Sequence, residues 1–225
     1  IILVCTFVLN VSQVGPLEAD LNSYTRPPEE DNSLQVMNLN MYHGFPEFEY
    51  LPNRLDLLAE QIKQISPHIV TIQEVPWTRQ TGSAAAYLAE KTEMNYVYLP
   101  ANGNRWAFFF SEGEAILSKF ELKDVEFEEL IPRAGFFEHR VALKAIAVTP
   151  WGDIHILNTH LTHGDPAINQ GQVQNLMEFV NHFMDQPTII AGDFNALENS
   201  TQIKFISTKW IDTDRKSTRL NSITC

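Results

Sequence analysis

A short apolar segment that ends in a glycine and two polar residues constrains the fold of this chain most strongly. Residues 189–191 read Ile-Ile-Ala and residues 192–195 read Gly-Asp-Phe-Asn. This pattern is typical of a short buried strand that turns, or approaches a ligand closely, at its glycine. Because residues two apart in an extended segment share a face, Asp193 and Asn195 are predicted to project together from the strand's end. The alternative is an Asx-type turn, since Asp and Asn also favour turns after strands.

Three further strand-like segments also end in polar side chains. They place Asn40 at the end of residues 34–40, Glu74 near the end of residues 68–75, and Asn158 with His160 at the end of residues 153–160. Strand ends can converge at one rim of a sheet, where layered folds commonly bind ligands, so these side chains predict one site. Mg²⁺ takes oxygen ligands, usually one or two carboxylates with water and substrate phosphate, and Glu74 with Asn40 would suit it. No Cys/His cluster has the spacing of a zinc site.

Helices and strands alternate in some parts of the chain, whereas strands form hairpins in others. Helices are predicted from an N-cap at Asn53 to Pro67, at residues 83–91 and at residues 166–184, and hairpins at residues 106–117 and 139–160. Pro76 is expected to end the strand of residues 68–75, and the phenylalanines at 108–110 are expected to lie in the core. These elements predict an α/β (α+β) layered fold with a mixed sheet.

The two ends of the chain differ from the part between them. Apolar residues 1–9 predict a signal-peptide remnant, too short for a membrane span of roughly 18 residues or more, with an edge strand as the alternative. Residues 16–33 resemble a solvated linker. The domain is predicted to occupy residues 34–214, and residues 215–225 to form a non-native tail or an ordinary disordered terminus. The signal interpretation implies a secreted or cell-envelope protein; without a signal the protein would be cytoplasmic.

Charge and cysteine content narrow the possible partners. The chain has 28 acidic and 16 basic residues, a formal net charge of -12, which repels polyanions and gives no sign of a broad phosphate-binding stripe. Nucleic acid is therefore possible as a partner but not favoured. Two cysteines cannot build a disulfide framework. We expect a monomer without a transmembrane segment.

In their order along the chain, these motifs resemble the endonuclease/exonuclease/phosphatase superfamily. The matching elements are Asn40 in Met-Asn-Leu-Asn-Met, Glu74 in Ile-Gln-Glu-Val, Asn-Thr-His-Leu at 158–161 and Gly-Asp-Phe-Asn at 192–195. The resemblance covers about residues 34–214 and implies a four-layer sandwich, in which helices flank two mixed β-sheets packed face to face. The superfamily pattern ends in a Ser-Asp-His element that this sequence lacks, which implies a C-terminally truncated domain. A catalytically incomplete fragment or a binding module therefore remains an alternative function.

The resemblance implies a metal-dependent phosphoesterase. Glu74 and Asn40 would hold Mg²⁺ or Mn²⁺, Asp193 would orient or deprotonate the attacking water, and Asn195 would fix water and phosphate. Such a centre stabilises charge on the phosphoryl oxygens while a carboxylate positions water in line. The expected reaction is hydrolysis of a phosphodiester or phosphomonoester. A secreted nuclease acting on DNA or RNA is the alternative.

Four more side chains belong to the predicted site. His160 would hydrogen-bond a phosphoryl oxygen or assist proton transfer, and Asn158 belongs to the same catalytic set. Arg140 is a candidate phosphate clamp because a guanidinium matches phosphate oxygens well. His43, in the loop after Asn40, is a further phosphate-binding candidate. For Arg140 and His43 a structural or surface role is the alternative.

Overall fold

Strands dominate the part of the chain that the computed structural model describes, residues 14–24 and 33–213. In chain order the elements are β1 (Glu18–Asp20), β2 (Val36–Asn40), α1 (Leu51–Ile65), β3 (Ile69–Thr78), β4 (Gly82–Ser83), α2 (Ala84–Thr92), β5 (Asn95–Asn104), β6 (Phe110–Ser118), β7 (Leu122–Leu130), β8 (Arg140–Thr149), β9 (Gly152–His160), α3 (Pro166–Val180), a 3₁₀ turn (Asn181–Phe183), β10 (Thr188–Asp193) and α4 (Thr201–Ile206). Over these residues no helix has the length and apolar character needed to cross a membrane.

The strands form two mixed sheets. The six-stranded sheet has the order β1-β5-β6-β3-β2, with β4 paired to β3, and its β2 and β3 are parallel. The four-stranded sheet has the order β10-β9-β8-β7, and its β9 and β10 are parallel. Parallel pairing brings strand ends together, so Asn40 lies opposite Gln73 and Asp193 lies opposite His160. The two sheets thus present their polar strand ends as neighbouring pairs.

Three apolar clusters separate four layers. They lie between α1, α2 and the first sheet (including Leu55, Leu88 and Ile72), between the two sheets (including Ile116, Leu143 and Ile156), and between the second sheet and α3 (including Leu157 and Leu176). Removal of these side chains from water is the main force that holds the layers together. The arrangement confirms the predicted α/β (α+β) four-layer sandwich of two mixed sheets flanked by helices.

The first helix forms where its apolar period predicts, but its start differs. Its buried face includes Leu51, Leu55 and Ile62, the spacing of a helix packed along one side. Asn53 is not the N-cap: it lies inside α1, and Tyr50 occupies the cap position without a side-chain cap bond. A proline in the first turn, where its fixed φ suits a helix, starts the helix earlier than the polar signal indicated.

Strand β3 does not stop at Pro76, as the sequence indicated, but continues to Thr78. Pro76 pairs with Glu112 of β6, and its other neighbour, β2, has already ended opposite Gln73. A proline is tolerated in a strand where one side of the ladder is open. A proline therefore does not end a strand by itself; whether its backbone nitrogen faces a neighbouring strand decides this.

The predicted hairpin at residues 106–117 is also wrong. Residues 105–109 form the turn between β5 and β6, and β6 runs without interruption from Phe110. The Asn104 side chain starts this turn by accepting hydrogen bonds of 2.9 Å from the backbone N–H groups of Trp106 and Ala107. Phe110 is buried, whereas Phe108 and Phe109 are 49% and 51% exposed and are not core residues.

The structure contradicts two further predictions about chain segments. Residues Glu18–Asp20, predicted as linker, form β1 and add an edge to the six-stranded sheet by pairing with β5. Strand β10, predicted as covered on both faces, is an edge strand of the described four-stranded sheet, and all of its residues are half-buried. The predicted signal remnant at residues 1–9 and the predicted tail at residues 215–225 lie outside the described residues.

Candidate active site

The end of β10 holds both features that the sequence offered as alternatives. Asp193 Oδ1 accepts a hydrogen bond of 3.0 Å from the Asn195 backbone N–H, and Asn195 has a positive φ of 47°. This is an Asx turn, and it leaves the other carboxylate oxygen of Asp193 free to face the rim. The Asx turn therefore holds the Asp193 and Asn195 side chains in place. It is not an alternative to a functional site.

The side-chain amide of Asn40 connects the polar strand ends of the two sheets. Asn40 Nδ2 donates to Glu74 Oε1 at 2.9 Å and to Asp193 Oδ2 at 3.2 Å. Asn40 Oδ1 accepts from the Tyr42 backbone N–H at 2.9 Å. Two carboxylates from different sheets thus converge on one neutral side chain, which reduces their mutual repulsion.

Glu74 is aimed at this point by an irregularity in β3. The pairing register with β6 shifts between Ile72 and Val75, and Glu74 has a φ of 56°. A left-handed conformation of this kind costs about 1–3 kcal/mol and commonly marks a functional position, and bulges re-aim side chains. His43 secures the carboxylate, because its backbone N–H donates to Glu74 Oε2 at 3.1 Å and its Nε2 lies 3.6 Å from the same oxygen.

His160 lies between Arg140 and the β10 turn. Arg140 Nη1 is 3.0 Å from His160 Nδ1, and because a guanidinium can only donate, Nδ1 is the acceptor and the neutral ring carries its proton on Nε2. His160 Nε2 lies 3.7 Å from Asp193 Oδ2 and 3.0 Å from Asn195 Nδ2. Because Asn195 Nδ2 is itself a donor, it does not accept the Nε2–H, and the Asn195 amide would have to rotate for its oxygen to do so. Burial, and then the positive charge of Arg140, lower the pKa of His160 to about 4. The ring is therefore neutral at pH 7.

We expect Arg140→Met to raise the pKa of His160 from about 4 towards, but not up to, its ordinary value of 6.5, because burial remains after the positive charge is removed. Since the depressed pKa makes the unfolded chain take up a proton first as the pH falls from 6.5 to about 4, the variant should also lose less stability over that interval. Histidine ring NMR titration measures the pKa directly. Arg133→Met is the control, and an unchanged His160 pKa in Arg140→Met would contradict this account.

Asn158 occupies a different position from the other predicted residues. It is fully buried, and its Nδ2 donates to the backbone oxygens of Ile72 at 2.8 Å and Ala115 at 2.9 Å. Its Oδ1 accepts from Gln73 Nε2 at 2.6 Å. The side chain therefore ties β9 to two strands of the opposite sheet, beneath the rim. Its assignment to catalysis stays a prediction.

Two residues that the sequence analysis did not select extend this support. Gln73 Nε2 also donates to Asn38 Oδ1 at 2.9 Å, and Asn38 Nδ2 donates to the Gly192 carbonyl at 3.3 Å. The amides of Asn158 and Gln73, which are buried, and of Asn38, which is exposed, thus form a path from β9 through β3 and β2 to β10. Both are neighbours of selected residues in sequence, and their polar character within apolar strands was the available signal.

Two buried carboxyl groups on β6 were also missed. Glu112 Oε1 accepts from Asn102, whereas Glu114 Oε2 is buried without a hydrogen-bond partner. Burial raises the pKa of both, and that of Glu114 well above its ordinary value, with repulsion from Glu112 as the next cause. The positive charge of Arg140 lowers the pKa of Glu114, and the charges of Glu74 and Asp193 raise it further.

Glu114→Gln is expected to stabilise the protein at neutral and alkaline pH. As the pH rises above the ordinary value of 4.5, the unfolded chain ionises Glu114 while the folded chain keeps the proton, so wild type loses free energy of unfolding until the folded pKa is passed. Glutamine removes this loss, and the gain should be about 1.4 kcal/mol for each pH unit between the ordinary and the folded pKa.

Urea unfolding of both proteins at pH 4 and pH 8 measures this effect. The difference should be small at pH 4 and large at pH 8. Glu60→Gln, at an exposed position of α1, should change the free energy of unfolding by less than about 0.5 kcal/mol at either pH. A Glu114→Gln protein that is less stable than wild type at pH 8 would show that the carboxylate has a stabilising partner.

An open cavity of about 760 Å³ covers the rim. Its lining includes Asn40, Asp193 and Asn195 together with His163, whose Nδ1 lies 3.2 Å from Asn195 Oδ1. This size suits a small ligand or one unit of a larger one.

Seven of the eight predicted residues belong to one connected set around the rim, and Asn158 lies beneath them.

The donor set at this rim fits a hard divalent cation. Within residues 14–24 and 33–213, no three or more His, Cys, Asp or Glu side chains are grouped to hold a metal ion, so a closed zinc-type site is not built there. Mg²⁺ needs only one or two carboxylates besides water and substrate phosphate, and Glu74 provides one at this rim. Asn40 presents its nitrogen to both carboxylates, so ligation through its oxygen would require the amide to rotate.

The amino-acid sequence of this chain is similar to that of a known protein. Protein angel from Drosophila melanogaster is 26% identical, over 84% of this chain and 60% of its own length. This chain therefore spans less than two thirds of that relative.

Solved structures show the same fold at lower identity. A functionally unknown conserved protein from Enterococcus faecalis V583 superposes with a TM-score of 0.66 at 18% identity, over 81% of this chain and 75% of that one. The human Nocturnin catalytic domain with bound sulfate anion gives a TM-score of 0.60 at 18% identity, over 85% of this chain and 72% of that one.

The family model described as the Endonuclease/Exonuclease/phosphatase family matches residues 37–219. The match includes all eight predicted site residues and overlaps the beginning of the predicted tail. Together with the two-sheet sandwich and the connected polar strand ends, it confirms the resemblance seen in the sequence. The chain belongs to the endonuclease/exonuclease/phosphatase family.

Proposed function

We propose that this chain carries the centre of a Mg²⁺- or Mn²⁺-dependent phosphoesterase, which hydrolyses a phosphodiester or phosphomonoester by in-line attack of water. The observation that carries the proposal is the convergence of Glu74 and Asp193, from different sheets, on the amide of Asn40. Carboxylate oxygens at an open rim, together with water and substrate phosphate, are the ligands that Mg²⁺ usually takes in proteins. Membership of a family that acts on phosphate esters supports this use of the pair.

Glu74 and Asn40 would hold the cation, which when bound supplies Lewis-acid stabilisation of charge on the phosphoryl oxygens. Asp193 orients the attacking water and accepts its proton. One of its oxygens is committed to the Asx turn, and the other lies towards Asn40 and His160. The turn therefore fixes the direction from which Asp193 can hold water, which is the geometric requirement for a general base.

His160 acts as a neutral donor in this proposal. With its pKa near 4 the ring is uncharged at pH 7 and cannot act as a general acid, but its remaining Nε2–H can stabilise a phosphoryl oxygen. Arg140 holds the ring from the other side and is itself held by Glu138, which accepts from Nη2 at 2.7 Å. Arg140 thus supports the tautomer of His160, and direct phosphate binding would have to compete with Glu138.

A substrate panel tests the function. The protein is assayed on bis(p-nitrophenyl) phosphate, p-nitrophenyl phosphate, single-stranded DNA, RNA and sphingomyelin, first after treatment with EDTA and then with Mg²⁺ or Mn²⁺ restored. We expect hydrolysis that chelation abolishes and either cation restores. Hydrolysis that persists unchanged in EDTA, or its absence on every substrate, would refute the proposal for this chain.

We also propose that the protein is secreted. Expression of the full open reading frame, followed by location of the product, tests this.

A further inference from the structure

Two buried side-chain oxygens beneath the rim lack a hydrogen-bond donor. Gln73 and Glu114 are 0% and 3% exposed, and Gln73 Oε1 and Glu114 Oε2 are both buried without a hydrogen-bond partner. Because an unpaired polar atom in a protein interior costs free energy, native structures rarely contain one without a reason. The hydrolysis proposed above uses neither of these atoms.

The pairing of β3 with β6 places the two side chains next to each other. The regular pairing reaches Ile72 opposite Ala115 and is then interrupted before Val75. Glu114 is therefore the residue of β6 that faces the bulge, and Gln73 is the bulge residue that directly follows Ile72. Both side chains point between the sheets, since Ile72 and Ala115 pack on the helix side. Residues opposite each other on one face have Cβ atoms about 4.5–5.5 Å apart.

Two oxygens in this position can bond only if one of them carries a proton. A carboxylate only accepts hydrogen bonds, whereas a protonated carboxyl group has an O–H that donates. Burial raises the pKa of Glu114 well above its ordinary value of 4.5, and the charge of Glu112 is the next cause. Of the other charged groups that act on Glu114, Arg140 lowers its pKa, and Glu74 and Asp193 raise it. A neutral Glu114 thus agrees with its burial and with the acceptor opposite it.

The oxygen of Gln73 needs a donor because the nitrogen of the same amide is already in use. Nε2 donates to Asn158 Oδ1 at 2.6 Å and to Asn38 Oδ1 at 2.9 Å. An ionised Glu114 would repel Gln73 Oε1 and favour an amide rotated by half a turn, which would break both bonds. Asn38 in turn donates to the Gly192 carbonyl at 3.3 Å. The orientation of Gln73 therefore affects how β9 and β10 are held beneath the rim.

We propose that Glu114 is a positioning residue for the rim: as a neutral acid it donates its O–H to Gln73 Oε1 and so fixes the Gln73 amide between the two sheets. Gln73 immediately precedes Glu74 in the same bulge. Residues that orient the groups of a metal site commonly contribute 10–100-fold, as an order of magnitude of about one to two decades, to affinity or activity. The expected effect on hydrolysis rests on the proposed function, whereas the hydrogen bond does not.

Infrared spectroscopy and a double-mutant cycle test the hydrogen bond without hydrolysis. At pH 7 the wild-type spectrum should contain a carbonyl band of a protonated carboxyl group that Glu114→Gln removes. Glu112→Gln is the matched control, at a buried carboxyl on the same face of β6, and should leave that band in place. In urea unfolding, the variant with both Glu114→Met and Gln73→Met should be more stable than the sum of the single changes predicts, because both remove the same bond.

Two results would overturn the hydrogen bond. One is the absence of an acid band that depends on Glu114, which would show that the carboxyl group is ionised. The other is an additive cycle, which would show that Glu114 and Gln73 do not interact. If Gln73→Met does not fold, the infrared spectra of wild type, Glu114→Gln and Glu112→Gln still decide the protonation of Glu114.

Kinetics on bis(p-nitrophenyl) phosphate with Mg²⁺ test the positioning role. Glu114→Met should lower kcat by about 10–100-fold with little change in KM. Glu114→Gln should retain most of the wild-type kcat, because its amide nitrogen can donate to Gln73 Oε1. Wild-type kcat in Glu114→Met, or a folded Glu114→Gln protein as slow as Glu114→Met, overturns the inference. A wild type that shows the acid band and the coupling but hydrolyses no substrate supports the hydrogen bond and counts against the phosphoesterase.

Discussion

Replacement of Glu74 by glutamine is expected to lower kcat/KM for phosphate-ester hydrolysis by about 10²–10³-fold, the scale of losing one electrostatic contributor to a transition state. Glutamine keeps the shape of the side chain and an oxygen that can accept from Asn40 or from the His43 backbone N–H. It removes the negative charge that would hold a divalent cation. The loss should therefore appear in catalysis and cation affinity, and the fold should remain intact.

Three measurements on the Glu74→Gln protein separate these effects. Steady-state kinetics on bis(p-nitrophenyl) phosphate gives kcat/KM, calorimetric titration with Mn²⁺ gives the affinity for the cation, and circular dichroism reports the fold. Glu47→Gln, which changes an exposed carboxylate in the loop after β2, should match wild type in all three. If Glu74→Gln keeps wild-type activity and Mn²⁺ affinity, the assignment of Glu74 to the metal is wrong.

The convergence of the site could be anticipated from the sequence because its residues occupy strand ends. Alternation along a strand fixes which side chains share a face, and parallel pairing of β2 with β3 and of β9 with β10 brings the carboxyl ends to one rim. Asn40, Glu74, His160 and Asp193 were selected on this local logic. The amide bridge between the sheets depends on how the two sheets pack, and no local pattern contains that information.

The buried carboxyls of β6 could not be anticipated in the same way. The sequence Ser-Glu-Gly-Glu at residues 111–114 has the composition of a turn, yet it lies within a strand whose every residue is buried. The aromatic run before it was assigned to a strand, yet most of it forms the turn that Asn104 starts. In both places the pairing of β6 with β3 and β5 decides the outcome, and that pairing joins residues far apart in sequence.

Gly192→Ala is expected to destabilise the protein by about 1–3 kcal/mol, the usual cost of forcing extra atoms into a packed site, and to lower kcat/KM by on the order of 10²-fold. A Cβ at Gly192 would lie 2.1 Å from the carbonyl oxygen of Thr159, its partner on β9, and the residue has a φ of 153°. Backbone cannot yield as a flexible side chain does, so β10 must move away from β9. Asp193 follows directly and lies opposite His160, so the displacement reaches the predicted base.

Two other glycines separate the causes of this effect. Gly152→Ala adds a methyl group in open space at a φ of 111°, and Gly135→Ala adds one in open space without a positive φ. Urea unfolding and kinetics should therefore show almost no change for Gly135→Ala, a moderate loss of stability with unchanged kcat/KM for Gly152→Ala, and loss of both only for Gly192→Ala. Equal losses of stability at Gly152 and Gly192, with activity retained, would mean that β10 tolerates the displacement. The close approach of β10 to β9 would then not be what positions Asp193.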